Sequence, residues 1–220
     1  MKTSLALVLP LILCAACVSN PSKPREPSPN PGAGRPAGFL VRDPAFTGCE
    51  LESFIALTIA RNAIAFGQTE SSLMVANGSD PAKAALIGEL FGRMKEQNFR
   101  NYSRFGAEKF YQCAEREKVP VKKNMNAASV CMARQDIPFY LQAGKEQRLS
   151  QAEAVASTRK ILANQPKDVY PDALIEELAP MIYRNTSSNG FFEIRRFMFE
   201  SCLFPAEWKA WWDAAGVNER

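Results

Sequence analysis

The chain is expected to fold as an all-α, compact bundle of about eight or nine helices, built from two similar four-helix halves, each tied by a disulfide. Three observations predict this. Past Phe39, apolar residues recur at helical spacing, three to four positions apart. Helix-start signals stand at Ser79-Asp80-Pro81, Ser103 and Ser150. No segment shows the sustained apolar–polar alternation of a half-buried strand.

The elements follow in order. Leu51, Phe54, Ile55, Thr58 and Ile59 form the first stripe, and Gly67 offers its stop. Asp80-Pro81 opens a helix carrying Ile87, Leu90, Phe91 and Met94 on one face. Ser103 is placed to cap the next, which carries Phe110, Cys113 and Ala114. Ser150-Gln151-Ala152-Glu153 reads as a capping box, followed by Val155 and Leu162. Leu174, Leu178 and Ile182 make a further stripe, which Pro180 should bend or shorten. Pro205 starts a short terminal helix over residues 205–215 with Trp208, Trp211, Trp212 and Ala215.

Two segments of the helical region correspond, residues 45–118 and 127–204. Gly67-Gln68-Thr69-Glu70 aligns with Arg148-Leu149-Ser150-Gln151 at an offset of 81 residues. Phe105 to Cys113 aligns with Ile194 to Cys202 at an offset of 89, and both end in Phe-x-x-Cys. The difference of eight residues fits an insertion near Asn164 to Pro171. Cys49, Cys113, Cys131 and Cys202 form an even set, as expected of an exported domain in an oxidising compartment. Four cysteines allow three pairings. The repeat favours Cys49 with Cys113 and Cys131 with Cys202. Metal held by these four cysteines would need short Cys-x-x-Cys pairs, which none of them forms with another, so no metal or other cofactor is expected.

Ahead of this domain, residues 1–16 have the make-up of a signal peptide. Lys2 supplies a positive start, and Leu5 to Leu13 is an apolar run of nine residues. That is too short to span a bilayer, which takes roughly 20. Leu13-Cys14-Ala15-Ala16-Cys17 resembles the lipobox of bacterial lipoproteins, with Cys14 standing where that family has Leu. The resemblance implies that Cys17 is acylated and becomes the mature amino terminus. Val18, rather than the Asp that retains such proteins at the inner membrane, implies the outer membrane, facing the periplasm. Cleavage by ordinary signal peptidase, giving a soluble periplasmic or secreted protein, is the alternative. Residues 17–38 continue as a tether rich in Pro, Ser, Gly and Asn, extended at about 3.1 Å per residue. The folded domain then occupies residues 39–220.

Composition removes whole classes of chemistry. The chain has no histidine, so Ser-His-Asp and Cys-His catalysis and His-ligated zinc are excluded. Setting aside Lys2, Lys23, Arg25, Arg35 and Glu26, the domain carries 23 basic against 22 acidic residues. It has no basic stripe for a phosphate backbone, and nucleic acid is not expected as a partner.

Carboxylate chemistry remains open. Glu52-Ser53-x-Ile55 and Glu70-Ser71-Ser72-Leu73 resemble the Glu-Ser-x-Phe start of lytic transglycosylases, whose single glutamate acts as general acid. The resemblance covers only these few residues and implies Glu52 or Glu70 as that acid. The alternative places Glu52 on a solvated face and Glu70 in a first helical turn, where an acid complements the helix dipole. Trp208, Trp211 and Trp212, following Phe191, Phe192, Phe197, Phe199 and Phe204, either close the core or form an interaction patch. Adjacent Trp211 and Trp212 cannot share a helix face. The sequons at Asn77, Asn101 and Asn185 read as turns and caps.

These features predict a membrane-tethered, non-enzymatic envelope protein that binds another protein, as an inhibitor, an immunity factor or an assembly accessory. A Glu-dependent enzyme acting on peptidoglycan is the second reading, and a ligand-binding module with an aromatic-lined groove between the halves is the third.

Overall fold

The computed structural model describes residues 43–185, 188–206 and 208. Among them are nine helices and no strand: α1 (Pro44–Ile64), α2 (Glu70–Asn77), α3 (Pro81–Glu96), α4 (Tyr102–Arg116), α5 (Met125–Ala133), α6 (Asp136–Glu146), α7 (Gln151–Ile161), α8 (Asp172–Arg184) and α9 (Ser188–Leu203). They pack as a compact all-α bundle.

Local chemistry sets the helix starts. Asp43 accepts from the Ala45 amide ahead of Pro44, and Asp80 accepts from the amides of Ala82 and Lys83 ahead of Pro81. Thr69 caps α2, and Ser150 with Glu153 closes the capping box of α7. Gly67 takes a φ of +66° just past α1, a conformation that glycine adopts without a Cβ penalty.

Two expectations are corrected. Asn101, with its extended backbone, caps α4, accepting from the Arg104 amide at 2.9 Å. Ser103 lies inside the first turn and donates its hydroxyl to the Asn101 side chain. Pro180 lies inside α8 and does not shorten it, since the helix runs on to Arg184. Its missing N–H leaves only the carbonyl of Glu176 without a helical donor, and that residue faces solvent.

α1 packs against α2, α3 and α4. The pair α5 and α6 takes the corresponding place in the second half, against α7, α8 and α9. Gln135 interrupts α5 and α6, and Pro138 sits in the first turn of α6, where a missing N–H costs nothing. The caps Thr69 and Ser150 are 81 residues apart, as in the sequence alignment. The loop 162–171 replaces the short connection 78–80 of the first half and brings in the buried ring of Tyr170.

Disulfides join Cys49 to Cys113 and Cys131 to Cys202, the pairing within each half. Both border one phenylalanine-rich core in which Phe46, Phe54, Phe110 and Phe199 are fully or almost fully buried. The ring centroids of Phe110 and Phe199 lie 5.0 Å apart, edge to face. α1 and α4 approach closely because α4 presents Gly106, whose added Cβ would stand 3.1 Å from that of Leu57 and 3.3 Å from the carbonyl oxygen of Ser53. In the second half the aligned position is Arg195, hydrogen-bonded to Gln135. A guanidinium thus stands where the first half has no side chain, beside the break between α5 and α6.

Candidate functional site

Two polar clusters lie in the interior. In the first, Arg61 of α1 meets Asp136 of α6 with Nε 2.8 Å from Oδ1, each side chain only 2% exposed. The hydroxyl groups of Tyr102 and Tyr170 donate to Asp136 Oδ2 at 2.5 and 3.0 Å. Burial raises the pKa of both phenols, and the Asp136 charge adds to the shift, so they stay protonated donors. The Arg61 guanidinium lies 4.4 Å from the centroid of Phe139, and that of Arg195 lies 4.4 Å from the centroid of Phe54. Four helices and the 162–171 loop converge here, joining the two halves through one carboxylate.

The second cluster is acidic. Glu50 is fully buried and Glu200 nearly so. Arg196 donates from Nε to Glu50 at 2.8 Å and from Nη2 to Glu200 at 2.9 Å. Desolvation pushes both carboxyl groups above their ordinary value. The neighbouring Glu200 charge raises Glu50 further, while Arg196 opposes the shift. Two carboxyl groups against one guanidinium favour a shared proton.

The glutamates singled out from sequence lie elsewhere. Glu52 borders a groove of about 300 Å³ with Pro44, Gly48, Cys113 and Glu117, where its carboxylate pairs with Arg116 at 2.7 Å. Glu70 is exposed in the first turn of α2. The carboxylates enclosed by apolar groups are therefore Glu50, Asp136 and Glu200, which sequence reasoning did not single out. Their signal was present: Glu50, Phe54, Leu57 and Arg61 follow one another at helical spacing, placing two charges on an apolar stripe.

At the surface, α2 is anchored by one buried residue, Leu73, and exposes Val75 (90%) and Met74 (39%). Phe66, 44% exposed, leans on Phe139 with ring centroids 6.0 Å apart. Trp208 is half-buried against Phe197, with ring centroids 5.2 Å apart. Cys17, Trp211 and Trp212 lie outside the described residues. Among the described residues, no helix is long and apolar enough to cross a membrane, and no group of three or more Cys, Asp or Glu is arranged to hold a metal ion.

The class defined by these observations is an all-α domain with a disulfide in each half and a charged interior seam. No protein-family model, curated protein or solved structure matches the chain.

Proposed function

We propose that the chain is a cell-envelope lipoprotein, acylated at Cys17, tethered by residues 17–38 and held at the outer membrane facing the periplasm. Its domain binds another envelope protein, as an inhibitor, an immunity factor or an assembly accessory. The observation that carries the binding reading is α2: a helix fastened by Leu73 alone, with Val75 and Met74 turned to solvent. Side chains of this kind gain most when a partner covers them. The location rests on the leader, the lipobox-like Leu13 to Cys17 and the proline-rich tether. Two disulfides accord with folding outside the cytosol.

Two measurements test the reading. Mass spectrometry of the native protein should find an acylated Cys17 at the amino terminus, and Cys17→Ala should release the domain from the membrane fraction. Capture of the tethered protein from its own envelope should retain a protein partner that Val75→Asp loses while the fold is kept. Hydrolysis of purified peptidoglycan, lost on Glu52→Gln or Glu70→Gln, would overturn the binding reading in favour of the enzyme.

A further inference from the structure

We propose that the interior seam is a binding site for a small monovalent anion of the halide class, held between Arg61 and Arg195. The two guanidinium groups address adjacent residues of one chain segment. Arg61 faces Asp136, and Arg195 donates from Nε to the Gln135 side chain at 3.1 Å. Asp136 is the carboxylate of this cluster, and it already serves Arg61 and two tyrosine hydroxyl groups. Among the described residues, Arg195 has no ion pair. The Nη2 atoms of both arginines are buried with no hydrogen-bond partner. Two guanidinium charges thus stand against one carboxylate.

An uncompensated interior charge is costly, and a guanidinium does not relieve the cost by losing its proton. Burial and the neighbouring Arg61 charge both press Arg195 toward neutrality, as expected of a cation that lacks a counter-ion. A water molecule can accept from Nη2 but brings no charge. One monovalent anion does both, accepting from the unpartnered nitrogens and neutralising the excess. A divalent anion would reverse the imbalance. The surroundings suit a weakly hydrated ion: the guanidinium carbons of Arg61 and Arg195 stand over the rings of Phe139 and Phe54. Arg195 is half-buried as a residue, and its Nη2 is enclosed.

The test uses the mature, disulfide-intact protein. Replacing sodium gluconate by sodium chloride at constant ionic strength should raise the melting temperature saturably, by about 3 to 5 °C at roughly ten times the dissociation constant. Sodium bromide should substitute for chloride, and sodium sulfate should not. Arg195→Leu should melt at the same temperature in chloride and gluconate. Crystals grown in bromide should show an anomalous peak within hydrogen-bonding reach of Arg61 and Arg195, a readout that does not depend on a variant folding. Equal melting temperatures in the two sodium salts, a chloride effect that persists in Arg195→Leu, or an empty seam in bromide would each overturn the proposal.

Discussion

Phe110 and Phe199 hold the same place in the two halves, 89 residues apart in sequence, and their rings meet edge to face at 5.0 Å. Each is fully buried, and each lies one turn before the second cysteine of its own disulfide. The halves are therefore joined through equivalent residues, with Phe54 and Phe46 completing the ring cluster.

Truncating either ring should cost about 3 to 5 kcal/mol, the range for a buried Phe→Ala change. Because the rings touch, Phe110→Ala with Phe199→Ala should fall short of additivity by about 0.5 to 1.5 kcal/mol in urea unfolding. Strictly additive losses would show that the halves are not coupled through this pair.

The disulfides close loops of similar length, with sequence separations of 64 and 71 residues. In the chain-entropy model each should contribute about 4 kcal/mol. The double variants Cys49→Ala/Cys113→Ala and Cys131→Ala/Cys202→Ala should lose comparable stability by denaturant titration. Non-reducing peptide mapping of the wild-type protein should recover those two pairs and no other.

The Glu50–Glu200 pair should govern stability near neutral pH. Each carboxyl group titrates above its ordinary value of 4.5 when folded, through desolvation first. The native state therefore holds more protons than the unfolded chain once pH exceeds that value. Stability from the pair is complete below it and declines as pH rises through neutrality, by up to about 1.4 kcal/mol per pH unit for each proton. With no histidine in the chain, no imidazole masks this slope between about pH 5 and 8. Glu50→Gln should flatten it. Stability that climbs with pH over this range would contradict the assignment.

Interior and surface ion pairs should differ sharply. Arg61→Met leaves Asp136 enclosed without its guanidinium and should cost about 3 to 5 kcal/mol. Arg116→Met breaks the pair with Glu52, at a site where Arg116 is 56% exposed, and should cost less than about 1 kcal/mol. Parallel urea titrations of the two variants check the contrast.

Helix class, most caps and the favoured cysteine pairing were legible because they depend on neighbours in sequence. Asp80-Pro81, Ser150 with Glu153, and the Phe-x-x-Cys endings act within a few residues or repeat in register. The cap of α4 was misplaced by two residues because Asn101 and Ser103 are both competent, and backbone conformation chose between them. The break at Gln135 is not legible in sequence because its partner Arg195 lies 60 residues away.

Taken alone, the sequence determined an all-helical, histidine-free domain with an even cysteine set behind an apolar leader and a proline-rich tether, since composition and short-range periodicity carry that information. Only tertiary structure decided which charges lie inside. Glu50, Arg61, Asp136 and Arg195 come from three helices far apart in sequence. The protonation and pairing of such groups depend on desolvation and on partners that meet only when the helices pack.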